Sequence, residues 1–517
     1  MSAGHHTASR RQRARSQVER FLQRHPIGSL SVLVGIITAA MLWIRYWSVL
    51  QKPFWVTGDL ASDSIIVSLA KRLRLNHGHY SQFAFFHPGT AMFYFEAFGQ
   101  WLFYNVLHLF PTESNAQLAT LFLANAALIA GSAFCLGVLF KSPRVVVATA
   151  FGILLYAANP TKIFIQSGPA LIAQLWVPTQ TIWCFVFFLC ALAYVVAKKP
   201  SAFVVVAVAS VLLAQRYLGL VPVAFFGMVV GFIAAWRTQG ATKKRDLRNG
   251  ILAAVILCLP NILGVIVDWP WQFSNYARAS VHQIHAARGV RSTVRFVGDF
   301  WGIHNPYVFL LFMALLAVIA YWLWKRPSST ARNGYLVLLV LVLTSTAVAL
   351  IFAYLVSSDI SQFSAYELSF YDGVPAVAYA IVSILLLRWV LAYLAFAAVL
   401  LFANFGAMPP TNSNVPLAQQ AIDKAAHGRP IEYIAQSSAA SWPSIAALLL
   451  VDIRSGVNAC AQETSPQDFF LYTPNYVCTA ASSVGRVQFL INPITPVPGA
   501  ITVFSSPDIT VEQLPST

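Results

Sequence analysis

The sequence predicts a mainly α, polytopic membrane helix bundle with outer interfacial helices and a small α/β extracytoplasmic C-terminal domain. Three observations predict it. First, 58% of the 517 residues are hydrophobic and only 10% are charged, with mean hydropathy +0.65. Soluble globular chains carry about 25% charged residues and 45–50% apolar ones, so this chain has too few charges to cover a water-facing surface. Second, apolar stretches of about 20 residues, the length that crosses a bilayer, recur as far as residue 405. Third, Lys and Arg gather in alternate loops. Together these exclude a cytosolic enzyme, a disordered chain, a disulfide scaffold and a collagen-like fibre. A net charge of +16 would point to nucleic acid in a soluble protein; here its distribution makes it a topology signal, and no nucleic-acid partner is expected.

The predicted spans are 28–50, 116–140, 144–160, 176–197, 201–214, 217–236, 249–267, 306–324, 334–356, 374–387 and 389–405. The last two are short enough to be two tilted helices or one re-entrant pair. Before them, residues 1–27 form a basic tail with Arg10, Arg11, Arg13, Arg15, Arg20 and Arg24. Alternate loops carry Lys141 and Arg144, then Lys198 and Lys199, then Arg237, Lys243, Lys244, Arg245 and Arg248, then Lys325, Arg326 and Arg332. Cytoplasmic loops hold the excess of Lys and Arg, so the N-terminus is expected inside and residues 406–517 outside, in a plasma (inner) membrane. Of the 18 acidic residues only Glu19 and Asp246 fall on the basic side. The first apolar stretch is too long for a signal-peptide core and is retained as a span. Residues 89–110 are long enough to cross, but a crossing there would turn every later basic loop outward. They are therefore expected to lie as an aromatic helix at the outer interface, where Trp and Tyr are favoured.

The first outer loop, 51–115, is too long to be a mere connector. In it Ile65, Ile66, Leu69 and Leu73 share one helical face and Lys71, Arg72 and Arg74 another, which predicts an amphipathic helix on the outer leaflet, opened by Asp59 and Asp63. His87-Pro88-Gly89 starts the aromatic helix. An aspartate at the membrane face can accept the proton of an attacking sugar hydroxyl, although capping alone would also explain Asp59 and Asp63. Basic residues on the outer side need their own reason. Lys162 follows Asn159-Pro160, Arg216 sits in a short turn, and the outer loop 268–305 carries Arg278, Arg288, Arg291 and Arg295 with His282 and His285. Arg is the side chain best suited to grip phosphate, and Arg216 and Arg278 are the favoured ligands. Contact with anionic membrane lipids is the simpler alternative, and Arg288, Arg291 and Arg295 fit a solvated basic face. A third outer loop offers Asp359, Tyr366, Glu367 and Asp372.

Of the six cysteines, Cys135, Cys184, Cys190 and Cys258 lie in predicted spans and fit small core residues. Cys460 and Cys478 fall in the outer tail, where oxidation is permitted, and are expected to form a disulfide. No Cys or His spacing resembles a zinc site.

The layout resembles the GT-C superfamily of integral membrane glycosyltransferases, including protein O-mannosyltransferase-like and aminoarabinose transferase-like enzymes. The string Gly58-Asp59, Tyr80-Ser81-Gln82-Phe83 and His87-Pro88-Gly89 looks like a GD…YSxF…HPGP pattern of bacterial members, with Thr90 in place of the second proline. That resemblance covers the membrane region 28–405 loosely and 58–95 by motif. It implies Asp59 as catalytic base with Asp63 as alternate. It also implies His87 at the donor phosphate, with Arg216, Arg278 and Lys162 fitting that phosphate, and a polyprenyl-phosphate sugar as donor on the outer face. Tyr80, Tyr366 and Glu367 are the candidates to contact a glycan or lipid acceptor. No cofactor is implied; a divalent cation is compatible.

The outer tail rises in Asn, Ser, Thr and Pro. Residues 441–456 have helix periodicity, and GRVQFLI and AITVF are strand-like. No nucleotide fingerprint appears. The leading expectation is an inverting glycosyltransferase that builds a cell-envelope glycan, with cations stabilising the departing lipid phosphate. A transporter or flippase of lipid-linked glycan is one alternative, opposed by the lack of internal repeats and of mid-membrane charge. A non-catalytic envelope glycan-binding protein is the other, and it would leave Asp59, His87 and Arg216 without a purpose.

Overall fold

Proline and side-chain caps fix where several of the long apolar helices begin. The structure, a computed structural model, describes residues 25–81, 85–158, 171–173, 175–195, 202–237, 242–282, 289–355, 368–403, 412–463, 471–479, 483, 485–495 and 497–515. In it Pro26, Pro143 and Pro306 each stand in the first turn of a helix. A first-turn proline forfeits no helical hydrogen bond, and its fixed φ already suits the helix. Asn305 Oδ1 accepts from the amides of Tyr307 and Val308, and Thr112 Oγ1 from that of Asn115.

The apolar helices are α1 (Pro26–Arg45), α4 (Glu113–Leu139), α5 (Pro143–Ala157), α6 (Val177–Val195), α7 (Ala202–Arg216), α8 (Val221–Arg237), α9 (Thr242–Val267), α12 (Pro306–Lys325), α13 (Thr330–Leu355), α14 (Gly373–Leu386) and α15 (Trp389–Phe402). Among the described residues eight helices are long and apolar enough to cross a membrane, and three shorter apolar ones are α5, α7 and α15. They match the predicted spans, and the short final pair is two separate helices. Their burial differs with position. In the best apolar window, 89% of α6 is buried inside the protein but only 11% of α9 and 17% of α12. Side chains such as Phe226, Ile266, Leu311 and Ile351 are therefore exposed on outer faces. Exposed apolar faces of this extent need an apolar solvent, which is what a bilayer supplies.

Between α1 and α4 the chain builds a compact unit: α2 (Gly58–Lys71), a short hairpin of β1 (Tyr80–Ser81) and β2 (Phe85–Phe86), and α3 (Ala91–Gln100), which continues as a π-helical stretch over Trp101–Val106. The aromatic helix does not start at His87-Pro88-Gly89 but at Ala91. Thr90 and Ala91 donate their amides to Gln215 Oε1 at 3.2 and 2.8 Å, so a distant side chain sets its start. The amphipathic surface helix expected at 58–74 is corrected more sharply. Every residue from Ala61 to Ala70 is buried, because this stretch is enclosed on more than one side, Ser62 meeting Leu471 of the C-terminal unit and Ser64 meeting Gln117 of α4, while Arg72 and Arg74 stay exposed.

That unit follows α16 (Asn414–Ala426). It comprises β3 (Ile431–Ala435), α17 (Ser438–Ser455), β4 (Ala459–Gln462), β5 (Val477–Cys478), β6 (Val487–Ile491), β7 (Ile501–Ser505) and β8 (Thr510–Gln513). The six-stranded sheet runs β5-β4-β3-β6-β8-β7, parallel from β5 to β6 and antiparallel beyond. Tyr433, Phe489 and Val511 fill its core beside Leu448 and Leu449 of α17. Buried Asp452 accepts from the Tyr433 hydroxyl and from Gln419 Nε2, each at 2.6 Å. The unit is fastened to the membrane region by polar contacts. Ser62 Oγ donates to the Leu471 carbonyl at 2.5 Å and Arg72 Nη2 to that of Ile453 at 3.0 Å. Glu113 pairs with Lys71 at 2.5 Å and with Arg454 at 3.1 Å.

Cys460 of β4 and Cys478 of β5 are joined in a disulfide across 18 residues. Closing a loop of that size removes unfolded-chain entropy worth about 3 kcal/mol. The double variant Cys460→Ser/Cys478→Ser should therefore unfold at lower temperature and be cut by protease first within 414–513. Equal melting and equal protease resistance would contradict this.

Candidate active site

The His-Pro-Gly turn is held where only glycine fits. A Cβ on Gly89 would sit 1.7 Å from the Gln215 carbonyl oxygen, and one on Gly78 would meet the His87 carbonyl at 2.6 Å. The first contact presses the hairpin against the end of α7. Gln215 Nε2 also donates to the Leu257 carbonyl of α9 at 2.7 Å. The next residue, Arg216, is thereby carried into a small cleft, lined also by His79, Val177, Pro178, Thr181, Tyr217, Ser369 and Phe370.

Arg216 is 3% exposed, yet its Nε and Nη2 have no hydrogen-bond partner among the described residues. Cys184 takes one contact from the guanidinium, and the Phe93 ring lies 5.8 Å from it. Leaving buried guanidinium N–H groups unmet is costly, and these open donors in a cleft suit an anion with several acceptor oxygens. Acids stand behind this cation. Asp63 of α2 is 5% exposed and Glu96 of α3 is 1% exposed. Burial pushes the Asp63 carboxyl well above its ordinary value, the charges of Asp59 and Glu96 add to the rise, and Arg216 opposes it. Burial likewise raises Glu96, against Arg216. Glu96 Oε2 accepts from Gln117 Nε2 at 2.8 Å, and Gln117 Oε1 from Ser64 and Gln100.

Asp59, in the first turn of α2, is half-buried and so more open than Asp63. Burial raises its pKa, while hydrogen bonds from the Tyr80 hydroxyl and the Trp176 side chain pull it back. A carboxylate lifted toward neutral pH is better matched to taking a proton. Asp59 does not line the cleft itself. Tyr80, which holds it, is the chain neighbour of His79, which does.

The histidines are neutral donors rather than cations. His87 Nδ1 accepts from the Leu218 amide at 3.0 Å, which puts its proton on Nε2. Burial lowers it to about 3. Its ring stacks on His79, centroids 4.2 Å apart. Burial, then His87 and Arg216, hold His79 well below the ordinary value. His77, stacked on Phe86 at 3.8 Å, is lowered by burial to about 4.

Of the sequence candidates, Asp59, Asp63, Tyr80, His87 and Arg216 are thus brought together. Arg278 is not: it is exposed on α10 (Phe273–His282) and absent from the cleft wall. Lys162, Tyr366 and Glu367 lie outside the described residues. His79 and Glu96 were missed. Among the described residues no group of three or more His, Cys, Asp or Glu side chains could hold a metal ion.

No family profile and no curated protein matches the chain. Among solved structures, it is similar to ArnT from Cupriavidus metallidurans bound to undecaprenyl phosphate, at 13% identity and TM-score 0.43, covering 93% of this chain and 97% of that one. It is also similar to the oligosaccharyltransferase of Archaeoglobus fulgidus in complex with zinc and sulfate, at 13% identity and TM-score 0.35, covering 89% and 67%. The apo form of that protein aligns at 12% identity and TM-score 0.36, covering 91% and 70%.

Burying neutral histidines links stability to pH. Their depressed values mean that this stability is present above about pH 6.5 and is lost progressively as pH falls from there toward the folded-state values. Asp59 and Asp63, raised by burial, act in the opposite sense, their cost easing on acidification. From pH 7 to pH 5 each of His77 and His87 should cost about 2 kcal/mol. Thermal unfolding across that range should show a smaller acid-induced fall in His77→Gln than in wild type; identical slopes would contradict the neutral assignment.

Proposed function

We propose that this chain is an inverting glycosyltransferase that moves a sugar from a polyprenyl-phosphate donor to a cell-envelope glycan or lipid acceptor. The reaction would take place on the outer face of the plasma membrane, with the N-terminus cytoplasmic and the C-terminal unit outside. The observation that carries this reading is Arg216: a buried guanidinium with two unmet donor atoms in a cleft, one residue beyond the contact that seats the hairpin. A phosphate ester at the water–lipid boundary offers the acceptor oxygens such a group lacks.

Asp59 takes the proton of the acceptor hydroxyl as that oxygen bonds to the anomeric carbon from the face opposite the phosphate. The bond from that carbon to the phosphate oxygen breaks, and the electron pair leaves with the lipid phosphate. Arg216 and the N–H of His79 receive the charge that develops there, a fixed electrostatic arrangement that needs no reorganisation during reaction. Phosphate is a good leaving group, so no acid need protonate it. Asp63 and Glu96 are enclosed and do not reach substrate; they balance Arg216 from behind.

Purified protein in lipid nanodiscs, supplied with a radiolabelled polyprenyl-phosphate sugar and envelope acceptor, should release free polyprenyl phosphate. Asp59→Asn should slow that release by about 100- to 10,000-fold while melting like wild type. Unchanged turnover in the folded variant would remove Asp59 from the chemistry.

A further inference from the structure

The strand that carries His79 and Tyr80 separates two environments of different chemistry. Its backbone is extended and paired with the return strand, His79 to His87 and Tyr80 to Phe86, so consecutive side chains leave on opposite faces. His79 enters the cleft with Arg216. Tyr80 turns the other way, to the Asp59 carboxylate. Around that carboxylate stand three aromatic side chains, all half-buried: Tyr80, Trp176 and Trp442. Tyr80 and Trp176 hydrogen-bond Asp59. The Trp442 ring meets Tyr80 edge-on at 6.4 Å and lies 3.5 Å from where a Cβ on Gly58 would be. Gly58 has φ +58°, so the backbone at Asp59 is shaped to leave room beside that indole.

Trp442 comes from the C-terminal unit, and its position there is informative. The parallel strands run β5-β4-β3-β6, so successive strands from β3 lie on one side of it and β6 on the other. In open α/β sheets, ligands bind beyond the carboxyl ends of the strands at such a reversal of order. α17 leaves the carboxyl end of β3 and carries Trp442 near its start. The ligand-binding edge of the sheet is thus turned toward Asp59.

We infer that Tyr80, Trp176 and Trp442 form the acceptor subsite and that the acceptor is a neutral saccharide, its ring resting on the Trp442 indole with one hydroxyl at Asp59. The apolar C–H face of a sugar ring matches an aromatic face, and its hydroxyls match the few polar groups set among those rings. Tyr80, Trp176 and Trp442 are themselves uncharged, unlike the Arg216 cleft on the other face of the strand, and suit a neutral acceptor ring. The donor phosphate and the acceptor ring then approach from the two faces of one strand.

This inference rests on the transferase reading, and its test separates the two. Saturation-transfer NMR would follow mannobiose, galactobiose and arabinobiose binding to the full chain in nanodiscs, at up to tens of millimolar. At least one should bind, with the signal kept in Asp59→Asn and in Trp442→Phe. In Trp442→Ala the dissociation constant should rise at least about tenfold with melting unchanged. The acceptor KM should rise similarly. Binding of none of the three disaccharides, or equal affinity and acceptor KM in a folded Trp442→Ala, would overturn the subsite. Saccharide binding without any release of lipid phosphate would instead leave the subsite standing and sink the transferase reading.

Discussion

The contact between the Gly89 backbone and the Gln215 carbonyl governs the geometry of this site. No side chain fits between them, so the hairpin and the end of α7 approach as closely as two backbones can. Gln215 then caps α3 with its oxygen and holds α9 with its nitrogen. From that one junction Arg216 inherits its place in the cleft wall, His87 its bond to Leu218, and the His79–Tyr80 strand its alignment between cleft and carboxylate. The cost of burying an incompletely paired guanidinium is carried by packing that was fixed for backbone reasons.

The same junction separates charges that would otherwise cancel. Asp63 and Glu96 are near enough to Arg216 to feel its charge, yet among the described residues neither is within ion-pair distance of it. Arg216 thus keeps open donors while its charge is partly balanced from behind. Asp59, one turn from Asp63, is the carboxylate left with access to water. Position, rather than residue type, divides the roles.

The spans were legible because a bilayer demands a run of apolar residues that nothing else in the chain resembles, and loop charges supplied an expected orientation. Arg216 was legible for a related reason: a cation in a short turn expected on the outer side breaks the charge rule. The disulfide partners stood alone in the segment expected to be outside, where oxidation is permitted. What failed was local pattern standing in for tertiary contact. α2 looked amphipathic because Lys71, Arg72 and Arg74 mark one end of it, but Ser62, Ser64 and Ser68 are small residues that admit close packing, and Ser62 meets Leu471 far downstream while Ser64 meets Gln117 of α4. Gln215 as a cap for α3 could not be read from either segment alone. His79 carried a weak signal, a second histidine eight residues before His87, that only hairpin pairing converts into a stacked pair. Arg278 shared its residue type with Arg216 and not its burial.

The most direct test of the central claim is equilibrium binding of a short-chain polyprenyl phosphate, followed by phosphorus NMR in nanodiscs, to wild type and Arg216→Met. Wild type should bind it, and the variant should lose about 100-fold in affinity, in line with removing charge-assisted donors from a buried site, while keeping its melting temperature. Equal affinity in the two proteins would contradict the assignment of Arg216 as the phosphate-binding group.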